Sequence, residues 1–146
     1  MKSLKVAIIL ALTATTLQAQ DLQPQEVPQA VMQSFEKENF DARDIEWERK
    51  MENYKVEFEE GRLDRDIWYN EKGQMLRMEK ELSPNELPQT IKDALESKYA
   101  DFSFDGAELI EEKDKTTYKV DLETLSREKK ILFDESGKVL NEWDDD

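Results

Sequence analysis

The sequence predicts an α+β fold. One helix plus a four-stranded antiparallel meander occurs twice in tandem, and the copies join into one sheet of about eight strands with two helices on one face. Three observations carry this. "VPQAVMQSF" from Val27 and "LPQTIKDAL" from Leu87 open alike, sixty residues apart. "YKVEF" from Tyr54 is answered by "YKVDL" from Tyr118, and "IWYNEKGQML" from Ile67 by "ILFDESGKVL" from Ile131, both at an offset of sixty-four. Each copy passes from a helical period to a period of two. A four-residue insertion near "YADFSFDG" absorbs the change of offset. The chain is therefore read as a duplication, with units at 25–82 and 85–146 and "SPNE" (83–86) as a tight connection.

Residues 1–19 read as a secretory signal peptide. Lys2 and Lys5 precede an apolar run from Val6 to Leu12, and small and polar residues lead to Ala19. The run is shorter than the ~20 apolar residues that cross a bilayer. Cleavage is expected after Ala19 or Gln20. No cysteine follows to take a lipid anchor, so the mature form is expected to be periplasmic or secreted, without membrane insertion.

In the first unit Val27, Val31 and Phe35 recur at helical spacing. In the second, Leu87, Ile91, Leu95 and Tyr99 do the same, giving each helix one apolar stripe. Pro28 and Pro88 suit the first turn, where a missing N–H costs nothing. Such short helices need a surface to lie on. The strands supply it: Tyr54, Val56 and Phe58 alternate with Lys55, Glu57 and Glu59, and Tyr118, Val120 and Leu122 repeat the pattern. Phe35 and Leu95 are expected at equivalent buried places against these two trios. "DIEWERKM" puts Ile45, Trp47 and Met51 on one side and acids on the other. "MENY" and "EEGR" read as turns, with Gly61 in the left-handed region. "YNEKGQ" and "FDESGK" read as hairpin loops with Asn or Asp first and Gly three residues later.

Composition narrows the function. The net charge of −14 becomes −16 without Lys2 and Lys5, which disfavours nucleic acid and anionic lipid. There is no cysteine, so the fold stands on its core, and no histidine. That removes the Ser-His and Cys-His nucleophile systems and the usual zinc ligands. The acidic stretches "EFEEG", "IEEKDK" and "WDDD" lack the Asp-x-Asp-x-Asp-Gly loop of a calcium site, so no metal and no cofactor is expected. Asp64 and Asp66 share a strand face as a glycosidase pair does, but a thin sheet-and-helix layer is expected to offer little concavity. The chain is therefore read as not an enzyme.

The two Pro-Gln helix openings, the paired "YKVEF" and "YKVDL" strands and the paired "NEKGQ" and "DESGK" turns resemble those of the PepSY-like proteins. These are small exported bacterial proteins also described as beta-lactamase-inhibitor-like. The resemblance covers nearly the whole mature chain and implies a binding role. The expected function is that of a non-catalytic exported binding module, inhibiting or regulating an unidentified extracytoplasmic protein. The alternative is a small-ligand or ion scavenger without a protein partner. The oligomeric expectation is a monomer or weak homodimer.

Alternation fails in the last two strands of each unit, where Ile67, Trp68 and Tyr69 are consecutive, as are Ile131, Leu132 and Phe133. With Tyr69 opposite Met75, the residues Trp68 and Leu76 turn away from the helices, and Leu132 and Leu140 take the same places in the second unit. These four form the expected protein-binding patch on the open face, the two pairs side by side. No catalytic residue is assigned.

Overall fold

The computed structural model describes residues 20–145; the expected signal peptide lies outside them. Nine strands form one antiparallel sheet in chain order: β1 (Gln20–Leu22), β2 (Arg43–Lys50), β3 (Asn53–Glu60), β4 (Leu63–Tyr69), β5 (Met75–Glu81), β6 (Ser103–Glu112), β7 (Lys115–Glu123), β8 (Glu128–Asp134) and β9 (Val139–Asp145). Helix α1 (Gln29–Glu38) connects β1 to β2, and α2 (Gln89–Lys98) connects β5 to β6. The sheet has two halves, α1 with β2–β5 and α2 with β6–β9.

The strand beyond the expected eight is β1. It pairs Gln20 with Arg49 and Asp21 with Glu48, as Lys80 pairs with Leu109 and Glu81 with Glu108 at the end of β5. One short strand thus takes, before the first helix, the place that the end of β5 takes before the second. The four extra residues are not near "YADFSFDG". Both β2 and β6 begin sixty apart, and Trp47 pairs with Val56 where Ala107 pairs with Val120. The insertion is the longer β6–β7 hairpin, which turns at Lys113 and Asp114, both with positive φ.

Pro28 and Pro88 stand one place earlier than expected, as extended N-caps with ψ near 140°. The Pro28 carbonyl accepts from Val31 N and Met32 N at 3.0 and 3.1 Å, and Pro88 repeats this with Ile91 and Lys92. "SPNE" is a single 3₁₀ turn in which Glu86 accepts from the Ser83 N–H and hydroxyl at 2.9 Å each.

Helix α1 buries Val31 and Phe35 among Trp47, Tyr54, Val56, Phe58, Ile67 and Tyr69. Phe35 is 2% exposed and meets Trp47 and Phe58 edge-on, with ring centroids at 5.3 and 5.1 Å. Such aromatic pairs add ~0.5–1.5 kcal/mol beyond burial. Helix α2 buries Ile91 among Ala107, Val120, Leu122, Ile131 and Phe133. Leu109 packs against both clusters, so both helices lie on one face of the sheet.

The halves are not equally filled. Leu95 and Tyr118 are half-buried, not buried as expected. Where the first half places Phe35, Trp47 and Phe58, the second places Leu95, Ala107 and Leu122, and the smaller side chains cover less. Ile45 and Met51 also leave the core, at 44% and 76% exposure. A bulge between Arg43 and Glu46 breaks the alternation, with Asp44 at φ 50°, and Met51 is a turn residue at φ 59°.

Each helix is held to the sheet by a hairpin loop. Gly73 (φ +77°) lies so close to α1 that a Cβ would meet the Ala30 carbonyl oxygen at 2.3 Å; at Gly137 (φ +81°) it would meet that of Thr90 at 2.5 Å. Asn70 and Asp134 shape these loops by accepting main-chain N–H groups two and four residues on.

Candidate functional site

Period two sends every second side chain to the face without helices. On that face the register sets Glu46 opposite Glu57, Glu57 opposite Asp66, and Asp66 opposite Glu79. Four carboxylates thus form one row across β2–β5. A neighbouring row brings Glu59 opposite Asp64, whose N–H donates to Glu81 at 3.2 Å, and Glu81 opposite Glu108.

These rows line a hollow of about 540 Å³. Eleven of its fourteen lining residues are Asp or Glu; the others are Phe58, Gly106 and Ala107. The expectation of little concavity is therefore corrected. The cause is local. Bulges between Arg43 and Glu46 in β2 and between Phe104 and Gly106 in β6 bend the sheet, and Asp44, Glu46, Asp105 and Gly106 at those bulges line the hollow.

Three cations touch the lining carboxylates. Lys55 bonds Glu57 and lies 2.8 Å from Asp66; Arg77 reaches Glu79 at 2.5 Å and Glu112 at 3.0 Å; Lys119 reaches Glu108 at 2.9 Å. Among the described residues, Asp44, Glu46, Glu59, Asp64, Glu81, Asp105 and Asp121 have no ion-pair partner. Burial pushes the Asp66 carboxyl up, and Glu57 and Glu79 on either side add to this, against the Lys55 hydrogen bond. Asp121 is pushed up by burial and by Glu108 and Asp105, against Lys119 and Lys130. Burial works against the charge of Lys55, but its bonds to Asp66 and Glu57 raise its pKa above the ordinary lysine value.

Of the four residues expected in the binding patch, Trp68 and Leu132 lie on this open face, opposite Lys55 and Lys119 respectively. Both are half-buried. Lys55 Nζ and Arg77 Cζ sit 5.0 and 5.7 Å from the Trp68 ring centre, so cations flank the indole and hold it in place. Leu76 and Leu140 are the extra residues of bulges in β5 and β9, 38% and 48% exposed. The two pairs do not sit side by side, because β5, β6 and β7 separate β4 from β8. The residues that do converge are carboxylates. The signal for them is present in the sequence, since the residues alternating with Val56, Phe58 and Ile67 are largely acidic. Their convergence appears only once the strands are in register.

Among the described residues, no group of three carboxylates is placed to hold a metal ion, and no helix is long and apolar enough to cross a membrane.

The fold has relatives. A BLIP-like protein from Bacteroides fragilis is 27% identical, covering 80% of this chain and 86% of its own, with a TM-score of 0.66. A DUF2874 family protein from Bacteroides ovatus superposes with a TM-score of 0.68 at 20% identity, over 80% of this chain and 86% of that one. A protein of Bacteroides eggerthii described as periplasmic gives 0.70 at 17% identity, over 81% and 88%. At these last two identities the likeness is one of fold. No curated protein matches the chain. One family model, "Putative beta-lactamase-inhibitor-like, PepSY-like", matches twice, over residues 13–77 and 52–141. The chain belongs to this PepSY-like family.

Proposed function

We propose that the chain is a non-catalytic exported binding module whose open sheet face docks another extracytoplasmic protein and inhibits or regulates it. One observation carries the reading. A nine-stranded sheet is covered by helices on one face only, and its bare face is hollowed and presents an indole fixed between Lys55 and Arg77. Trp68 stands beside the hollow and not in its lining, and a tryptophan held rigid on such a face is a frequent binding anchor. Family membership supports a binding role, and the periplasmic description of the B. eggerthii protein supports export. In this reading residues 1–19 are removed, and 25–82 and 85–146 descend from one duplicated unit. The parallel seating of Gly73 and Gly137 against the two helices supports that descent. Trp68 anchors the partner, with Leu76, Leu132 and Leu140 contributing at the edges, and the free protein is a monomer or weak homodimer.

The test is capture. The mature protein is immobilised against the soluble extracytoplasmic proteome of its source, beside the double variant Trp68→Ala, Leu132→Ser. The reading expects a stoichiometric complex that the variant weakens more than about tenfold, equivalent to ~1.4 kcal/mol, while the variant stays folded with a melting temperature lowered only by the loss of two half-buried side chains. A folded variant that captures the same protein undiminished removes the patch from the site. A variant that unfolds assigns these residues to the fold.

A further inference from the structure

We infer that the hollow on the open face receives a Lys- or Arg-rich segment of a protein partner. This rests on the docking reading above and names the chemistry of what docks.

The argument starts from cost. Like charges directly opposite each other on neighbouring strands destabilise a sheet by up to ~1 kcal/mol per pair. The row Glu46–Glu57–Asp66–Glu79 contains three such pairs in succession, and Lys55 and Arg77 offset only part of that repulsion, since Glu46 has no ion-pair partner among the described residues. Nothing in the fold demands these pairs. At the equivalent places of the other half the same row reads Gly106, Asp121, Lys130 and Trp143, paired in the same register. The same scaffold therefore stands with a mixed row.

Among the described residues, seven of the hollow's eleven carboxylates also have no ion-pair partner. Its lining holds no Lys or Arg, and Asp121 Oδ1 is buried without a hydrogen-bond donor among the described residues. Burial raises the pKa of Asp66 and of Asp121, and neighbouring carboxylates add a smaller push in the same direction, against Lys55 at Asp66 and against Lys119 and Lys130 at Asp121. A guanidinium or ammonium brought from outside supplies both charge and N–H groups.

The geometry separates a basic segment from a metal ion. Calcium needs six to eight oxygens at about 2.3–2.6 Å, converging on one point. The carboxylates here are spread along rows with one per strand, about 4.8 Å apart at the backbone, and no three of the described ones gather as a metal cage. Spread sites suit several separate cationic groups. The same face adds apolar surface at Trp68 and Ile110, flanking the acidic row in β4 and β6, which suits side-chain stems and not a simple polyamine. A second copy of this chain is a poor occupant on charge alone, at −14.

The experiment uses the mature protein and a fluorescent four-arginine peptide, followed by anisotropy at low and at physiological ionic strength. Parallel titrations use a four-glutamate peptide, spermine and calcium. The hollow variant is Glu46→Gln with Asp64→Asn, both exposed and without ion-pair partners, so neither change exposes a stranded cation. The charge control is Glu36→Gln with Glu96→Gln, exposed on the two helices. The inference expects arginine-peptide binding that weakens with salt, falls at least about tenfold in the hollow variant and falls less than about twofold in the control. Equal loss in both variants means diffuse attraction and overturns it. So does tighter binding of calcium or spermine than of the peptide, or self-association in sedimentation that the hollow variant abolishes. If Trp68→Ala weakens capture of the natural partner while the hollow variant leaves it unchanged, the face docks a partner without using this charge; the inference then fails and the docking reading survives.

Discussion

The two halves share a register and differ in what they mount on it. On the helix side the first half places Phe35, Trp47 and Phe58 where the second places Leu95, Ala107 and Leu122. On the open side the first half carries a row of four carboxylates where the second mixes Gly106, Asp121, Lys130 and Trp143. The backbone solution is held in common while both surfaces of the sheet differ. A feature present in both halves, such as the glycine seated against the helix, therefore reports on the fold. A feature confined to one half, such as the acidic row, is a candidate for function.

The largest expected effect tests the unequal cores. Phe35→Ala removes a fully buried ring from an edge-on aromatic trio and should destabilise the chain by ~3–5 kcal/mol in denaturant unfolding. Leu95→Ala, at the half-buried counterpart, should cost about 1–2 kcal/mol, less than a fully buried leucine. Equal losses would erase the distinction. The glycines test the common backbone. Gly73→Ala and Gly137→Ala each force a side chain into a positive φ and against a helix carbonyl, so each should cost about 1–3 kcal/mol or more, by similar amounts. A loss at one glycine alone would mean that the loops do different jobs.

Tyr69 sharpens the comparison by a smaller step. It is buried beneath α1, its hydroxyl has no partner among the described residues, and burial pushes its pKa up to about 12, with Glu38 adding and Arg65 opposing. The second half has Phe133 at the same place, also buried. Tyr69→Phe should raise stability by ~1 kcal/mol, because an unpaired buried hydroxyl costs about 1–3 kcal/mol. A loss on that substitution would mean that the hydroxyl is satisfied.

The smallest effect is in pH. Asp66 and Asp121 hold protons more tightly folded than unfolded, so the folded chain binds more protons between the ordinary carboxylate value and their raised values. Stability should fall as pH rises through that window. Glu86 acts in the opposite sense: its backbone and side-chain hydrogen bonds from Ser83 hold its pKa down, so its contribution is lost as pH falls below the ordinary carboxylate range. Thermal melts should therefore peak in mild acid, and Asp66→Asn should flatten the neutral limb. A melting temperature that climbs steadily to neutrality would contradict this.

Much of this comparison is legible before any register is known. Val31 and Phe35 announce α1 by spacing, and Tyr54, Val56 and Phe58 announce β3 by alternation. Asn70 with Gly73 and Asp134 with Gly137 announce the hairpins by turn chemistry. What escapes has physical reasons. The three residues of β1 are too few to show a period, and they become a strand because Trp47–Arg49 offer them a ladder. The bulge that exposes Ile45 depends on Asp44 adopting a positive φ, which no local pattern demands. The spacing of Trp68 from Leu132 depends on three intervening strands, so matching places in two units do not make one patch. The acidic hollow is a cross-strand property. Single strands show a charged face, and only pairing shows that Glu46, Glu57, Asp66 and Glu79 face one another.

The most direct test of the central claim, that the acidic row of the first half is the working surface, is to give it the second half's charge. Asp66→Lys places a lysine where Lys130 already stands in an equivalent register, but it also removes the carboxylate that Lys55 pairs with at 2.8 Å, so the variant should fold with stability reduced by about 1–3 kcal/mol. Titration of this variant with the four-arginine peptide should then show affinity reduced by more than about tenfold. A folded Asp66→Lys variant that binds the peptide as tightly as the parent chain would contradict the account.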